Sequence, residues 1–214
     1  MSSIASFYLM ESSNFHEYAK LAGLQQTENL PNLADDDKQV AVYAGGFNAA
    51  EIERDPRFKN ARNAFDFLRS HSSQPFQFQW SGYVLYDLLE LLKDDKQIDL
   101  ISKGFAKTPS DTPSYLLDAS VKELYLTSID PVHFSEKQLE TDYQNRSERL
   151  KEKYFKEMAS KLPPHELKKF MDLQNDYVEE PFPERGIALM DGITILHGCL
   201  NLVNDIDVVI MQIG

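Results

Sequence analysis

The sequence predicts an α+β fold: a single domain over residues 1–214, built on a small mixed or antiparallel sheet that includes both terminal strands. Several helices pack on that sheet, and a charged helical hairpin is inserted in it. Three observations lead there. Ser3 to Met10 alternate loosely, with Ala5, Phe7 and Leu9 on one side, as a strand does. Asp207 to Ile213 are β-branched and dense in apolar residues, as a central strand would be. Between them, apolar residues recur at helical spacing in several separate stretches. A closing strand paired beside or near the opening one ties both termini into one sheet. No linker rich in Gly or Ser and no internal repeat divides the chain, so one domain with helices on one side of the sheet is expected.

Taken in order, Ser13-Asn14 precede Phe15, Tyr18, Leu21 and Ala22 at helical spacing, and Asn14 with Glu17 has the form of a capping box. Gly23 to Lys38, with Asp35-Asp36-Asp37, reads as an exposed loop containing a solvated acidic turn. Gln39 to Tyr43 is a plausible strand, and the Gly45-Gly46 that follows is an ordinary turn. Phe58, Ala61, Arg62, Phe65 and Leu68 place an apolar stripe on a helix of about three turns, which Ser70 to Gln74 break. After Phe76, Phe78 and Trp80, Ser81 caps a helix carrying Val84, Leu85, Leu88, Leu89, Leu91 and Leu92. That helix is apolar over most of its circumference and belongs in the middle of the core. Lys103 to Pro113 reads as loop, and Ser114 to Leu126 as a short strand and a helix capped near Asp118 or Ser120.

From Ser135 to Val178, Lys and Glu dominate. Leu150, Tyr154, Phe155, Met158 and Leu162 line one face, while Glu152 and Lys156 form an i,i+4 pair on another. Pro163-Pro164 interrupt the run, and a second helix turns Leu167, Phe170, Met171, Tyr177 and Val178 inward, giving an antiparallel hairpin with one wet side. Its narrow apolar stripe suits docking of a partner or of a second copy, so a homo-oligomer through 135–178 is one expectation. Ile187 to Val203 forms a helix apolar at Leu189, Ile193, Leu196, Leu200 and Val203, and Asn204-Asp205 turn the chain into the last strand.

The composition narrows the function classes. Lys and Arg number 22 against 34 Asp and Glu, a formal charge of -12, with 42% hydrophobic and 26% charged residues: an ordinary globular composition with an acidic surface. A chain of this length buries roughly 70% of its unfolded surface and needs neither metal nor disulfide for stability. Cys199 is the single cysteine, read as an inert buried thiol of a reducing compartment. No basic residue precedes Lys20, and the longest apolar runs, such as Val208 to Met211, fall far short of the ~20 residues a membrane span requires. A soluble cytoplasmic protein with no membrane partner is expected, and the sequon Asn145-Arg146-Ser147 is a coincidence. Nucleic acid is set aside because the basic clusters Arg146 to Lys156 and Lys168-Lys169 are interleaved with Glu.

Motifs for catalysis fail one by one. His165-Glu166 and His16-Glu17 begin the zinc-peptidase helix motif, but Lys169 and Lys20 stand where the second histidine belongs and would repel the cation. His71, His133 and His197 are far apart, and His197 and Cys199 lie two apart on a helix, hence on different faces. Glycine-rich nucleotide loops and the Gly-x-Ser-x-Gly elbow are missing from the sequence, so no catalytic residue, metal or cofactor is expected. Asp205 and Asp207 read as turn and strand start rather than paired catalytic carboxylates.

The charge distribution is more informative. Asp172 to Gly214 holds eight acidic residues and one basic residue, Arg185, a local sum of -7. Asp172, Asp176, Glu179, Glu180 and Glu184 form an acidic helix end and loop able to steer a basic protein partner. The competing expectation is an enzyme or small-molecule-binding protein using a pocket around His71, Trp80 and Tyr83.

Ser3-Ile4-Ala5-Ser6-Phe7-Tyr8 before a short helix, Phe78-Gln79-Trp80 leading into the helix with Leu88-Leu89, and the final helix running into Asp207-Val208-Val209-Ile210-Met211 together resemble the YfbM-like family of uncharacterised bacterial proteins. The resemblance covers about half the chain. The sequence departs from the family in having Ser81-Gly82-Tyr83, with no histidine, just after Trp80, and in carrying the additional charged hairpin. What the resemblance implies is an α+β fold and a bacterial cytosolic setting beside toxin and immunity systems. It brings no active site with it. The function expected is therefore a non-catalytic binding protein of the immunity or toxin-neutralising type.

Overall fold

The computed structural model describes residues 4–22, 25–26, 56–106, 114–161, 163, 166 and 182–213. In chain order these form β1 (Ala5–Glu11), α1 (Ser12–Ala22), β2 (Gln25–Gln26), α2 (Pro56–His71), α3 (Gly82–Lys96), β3 (Gly104–Ala106), β4 (Ser114–Leu117) and α4 (Ala119–Tyr125). A 3₁₀ turn (Pro131–His133), α5 (Glu136–Lys161), α6 (Arg185–Leu202) and β5 (Asp207–Ile213) complete the set. The fold is α+β. The sheet has five strands in the order β1-β5-β4-β3-β2, and every neighbouring pair is antiparallel.

β5 explains the layering. It pairs with β1 over seven residues, from Ala5 opposite Ile213 to Glu11 opposite Asp207, and with β4 on its other edge. Its side chains alternate between two apolar environments. Val209, Met211 and Ile213 join Ala5, Phe7, Tyr115 and Leu117 on one face of the sheet, whereas Val208 and Ile210 join Tyr8 and Met10 on the other. A strand buried on both faces reads as a continuous apolar run, as this one does. Phe15 and Tyr18 of α1 with Ala64 and Leu68 of α2 cover the second face, while α3, α6 and Leu139 of α5 cover the first. Helices therefore lie on both sides of the sheet, not on one as the sequence reading expected.

α3 and α6 form the centre of the larger core. Leu85, Leu88, Leu89, Leu91 and Leu92 are at most 1% exposed, as are Leu189, Ile193, Leu196 and Leu200. The Ser81 hydroxyl caps α3 by accepting the Tyr83 amide at 3.3 Å, as its sequence position predicts. The segment after α2 lies along the outer edge of β1 through isolated antiparallel bridges, Leu9 to Ser73 and Ser6 to Gln77, which protects an otherwise open sheet edge.

Several local expectations need correction. Helix α1 starts at Ser12, placing Asn14 inside the helix; the Ser12 amide donates to the Ile206 carbonyl at 2.8 Å. Gln25–Gln26 and Gly104–Ala106 are short strands within stretches read as loops, too brief for a period of two to show. On α2 the inward residues are Ala64, Phe67 and Leu68, while Phe65 is 51% exposed with the Arg69 guanidinium 5.9 Å from its ring centroid. The side chains of Phe58, Ala61 and Arg62, the strand expected at 39–43, Gly45-Gly46 and Asp35 to Asp37 lie outside the described residues.

α5 is the first arm of the charged hairpin, 26 residues and hence about 39 Å long. The second arm, with Leu162 and Leu167 to Val178, lies outside the described residues. The root of α5 is pinned to α6: a Cβ built on Gly186 would stand 2.7 Å from the Glu136 carbonyl oxygen. In most helices Gly→Ala gains about 1 kcal/mol of propensity. At Gly186 the rigid backbone of α5 occupies the space, so Gly186→Ala is expected to lower unfolding free energy by about 1–3 kcal/mol in urea titration. An unchanged or higher midpoint would show that α5 does not dock there.

Candidate functional site

Of the carboxylates expected to meet a partner, Asp172, Asp176, Glu179 and Glu180 lie outside the described residues. Glu184 is exposed at the N-terminal boundary of α6 and makes no side-chain capping bond. Asp191 lies on α6, and Asp205 and Asp207 follow its far end, so the acids that are crowded in sequence are strung over about 27 Å of helix. At that far end Glu11 and Asp207 stand opposite each other in the β1–β5 register. Their partners are neutral: the Ser13 hydroxyl donates to Glu11 Oε2 at 3.4 Å, and Asn204 Nδ2 donates to Asp207 Oδ2 at 2.8 Å. Asp205 and Ile206, both exposed, complete this edge.

His71, Trp80 and Tyr83 are not gathered into one site. The His71 ring stacks on Phe67 with centroids 4.0 Å apart, on the α1–α2 side of the sheet. Trp80 packs against the opposite core and meets Phe182 edge-on at 5.8 Å. The strip from Ser73 to Gln77 along β1 alone separates them by roughly 13 Å. Tyr83 is 65% exposed. Beside Phe182, the Arg185 guanidinium lies 4.2 Å from the Tyr143 ring centroid, a cation–π contact tying α6 to α5. The recess of about 430 Å³ lined by Arg149, Glu152, Lys153, Lys156, Glu157 and Ser160 lies open along the outer half of α5 alone.

Three polar clusters are better built, and sequence spacing revealed none of them. In the first, Asp118 caps α4 by accepting the Ser120 and Val121 amides at 3.1 and 3.2 Å, and its other oxygen pairs with Lys103. Burial raises the Asp118 pKa, but hydrogen bonds from Lys103, Ser120 and Val121 outweigh it and hold the carboxyl below its ordinary value. Lys103 Nζ also donates to Ser120 Oγ at 2.8 Å. This Lys–Ser contact ties the cap of α4 to the start of β3.

In the second cluster Gln212 Nε2 donates to Tyr18 Oη at 2.7 Å and to Ser114 Oγ at 2.9 Å, joining α1, β4 and β5 beneath the smaller core. The third runs between α3 and α5. Arg146 reaches Asp94 at 3.0 Å and Glu90 at 3.5 Å, Arg149 reaches Asp95, and Lys96 meets Asp142 at 2.8 Å. Asp142 Oδ2 is enclosed, and its contact with Lys96 is ionic, out of hydrogen-bond alignment. Tyr143 Oη donates to Asp87 Oδ2 at 3.4 Å. Nearby, burial pushes the Tyr115 phenol up to about 12, helped by Tyr86 and Glu90.

Cys199 is buried, and burial alone raises its thiol well above the ordinary range, as expected of an inert core cysteine. Among the described residues, no group of three or more His, Cys, Asp or Glu side chains converges as metal ligands, and no helix is long and apolar enough to cross a membrane. No protein-family model, curated protein or solved structure matches the chain.

The Asp118 cluster sets a pH dependence of stability. A carboxyl held below its unfolded value of about 4 stabilises the fold fully above that value and loses the contribution as pH falls through its folded value. Asp118→Ala is therefore expected to cost about 1–2 kcal/mol at pH 7, with the gap to wild type closing towards pH 2. Urea titrations at several pH values measure it; a gap independent of pH would refute the charged cap.

Proposed function

We propose that this chain is a non-catalytic protein-binding module that offers acidic surface to a basic partner, of the toxin-neutralising or immunity type that a YfbM-like resemblance implies, working in a bacterial cytoplasm. The reading draws support from how the described charges pair. Lys93, Lys96, Lys103, Arg146 and Arg149 are joined to carboxylates of α3 and α5, to Asp99 just after α3 and to Asp118 at the cap of α4. Glu11, Glu184, Asp191, Asp205 and Asp207 have no ion pair among the described residues.

The observation that carries the proposal is the Glu11–Asp207 pair. Like charges directly opposite on neighbouring strands destabilise a sheet, and among the described residues no cation relieves them. Lysine or arginine from a partner would gain twice at this edge, by its own attraction and by removing the repulsion, with exposed Ile206 beside it for apolar contact. Such an edge makes binding fast and sensitive to salt.

Stability and binding should then move in opposite directions. The triple variant Glu11→Gln, Asp205→Asn, Glu184→Gln is expected to be as stable as wild type or up to about 0.5 kcal/mol more stable. It should also lose capture of high-isoelectric-point proteins that wild type retains from a bacterial extract at about 50 mM salt and releases by about 300 mM. Retention of the same proteins at the same salt by both forms would overturn the proposal.

A further inference from the structure

Helix α6 lacks the charged face that α3 and α5 turn to water. From Gly186 to Leu202 its one acidic residue is Asp191, and it has no lysine or arginine. A helix apolar around its whole circumference belongs under cover. Neighbours supply that cover on several sides: the Glu136 backbone lies against Gly186, Leu88 of α3 against Gly192, and the Phe76 ring against Gly198. Yet Thr194 and Asn201 are exposed, as are Ile187 by 47% and Leu202 by 37%. Ile187, Thr194 and Asn201 recur every seven residues, two helical turns, so they form one stripe about 21 Å long. Val132, on the 3₁₀ turn that packs on α6, is exposed as well.

The stripe is complementary to itself. Asp191 stands three residues before Thr194 and His197 three after it, while Ile187 stands seven before and Asn201 and Leu202 seven and eight after. In an antiparallel pair of α6 helices with the two-fold axis at Thr194, Asp191 of each copy comes level with His197 of the other, within side-chain reach. Ile187 likewise comes level with Asn201 and Leu202. Acid meets imidazole and aliphatic meets aliphatic, each twice. Asp191 and His197 are both half-buried, and the polar neighbour of the His197 ring is the Asn201 amide of its own helix at 3.3 Å.

We propose that the protein self-associates as a reversible two-fold dimer through α6, the helices running antiparallel and meeting at Thr194. The contact lies on α6 rather than on the charged arm. A basic partner finds a single carboxylate on this stripe, whereas a second copy of a chain of charge -12 meets little of its own repulsion there. One helix face falls below the ~800 Å² per partner of a stable interface, which makes the dimer a weak one. Salt screens the repulsion between the two acidic chains, so the dimer tightens as salt rises. That sign is opposite to the salt response of a basic partner held at the Glu11–Asp207 edge.

Sedimentation equilibrium on the full-length protein tests this without any ligand. Between about 5 and about 500 µM, at about 300 mM salt, the mean mass is expected to climb from one chain towards two, with association several-fold weaker at about 50 mM salt. Thr194→Glu sets two carboxylates face to face on the axis and is expected to weaken the dimer at least tenfold. Its urea midpoint at about 5 µM should match wild type, because Thr194 is exposed. Thr194→Cys, in a chain whose single native cysteine is buried, is expected to give a covalent dimer on mild oxidation, and Glu148→Cys on α5 is not. A one-chain mass at every concentration would overturn the proposal, and so would a dimer that loosens as salt rises, that Thr194→Glu leaves intact, or that Glu148→Cys traps instead. A lowered midpoint for Thr194→Glu would also overturn it, because the stripe would then be covered by its own chain.

Discussion

The whole arrangement depends on β5 being enclosed in both directions at once: β1 and β4 pair with its two edges, and apolar side chains cover its two faces. A buried backbone must pair its amides and carbonyls, and β1 does so along the whole strand while β4 does so from Val209 to Gln212. The two faces then oblige the chain to provide two separate helical layers. Because β1 and β5 come from opposite ends of the described chain, their pairing closes a loop of almost the entire sequence. Such long-range closure slows folding far more than it weakens the product, since loop entropy grows only logarithmically with length. The core cannot be finished before the C-terminal strand arrives.

The described cations are used mostly inside the molecule. Lys122 donates to the Asn201 and Val203 carbonyls at 3.2 and 2.6 Å, supplying from α4 the positive charge that the last turn of α6 lacks. Arg185 is stacked on Tyr143, and Arg146 and Arg149 in the middle of α5 pair with carboxylates of α3. A formal charge of -12 is therefore not spread as a uniform excess. It is concentrated wherever no helix brings lysine or arginine, and the β1–β5 edge with Glu11, Asp205 and Asp207 is such a place.

Much of the architecture is legible in the sequence because long elements carry strong periodic signals. The leucines of α3, the helically spaced apolar residues of α6 and the β-branched run of β5 each predict their element, and Ser81 and Asp118 mark helix starts. The second covered face of the sheet is not legible in the sequence, because Val208 and Ile210 look the same whether they face helices or a neighbouring layer of the same core; only the packing of α1 and α2 distinguishes the cases. Phe65 misleads for a similar reason: Ala64 and Phe67 with Leu68 satisfy the helical period as well, and the smaller alanine takes the position closest to the sheet. As for sites, a count of acids along the chain does not locate a patch in space. Asp191 and Asp205 are neighbours in the tally yet separated along a helix, whereas Glu11 and Asp207 are almost a whole chain apart and sit face to face.

The charged insertion shows why such non-local chemistry accumulates at the surface without disturbing the core. Helix α6 closes on its root: Gly186 is close against the Glu136 backbone, and Arg185 covers Tyr143. A segment that leaves and returns at one point alters neither the register of β4 with β5 nor the contacts of α3 with α6, because its length enters the stability only through a slowly growing closure entropy. The absence of a side chain at Gly186 is what permits the return, and the α3–α5 ion pairs then fix the direction in which the arm departs. Those pairs contribute orientation more than net stability, since desolvating Arg146 offsets most of what its carboxylates return. The core is thus specified by apolar packing and the attitude of the arm by charge, so substitutions along α3 and α5 can change how the molecule presents itself to a partner while leaving the sheet that supports it intact.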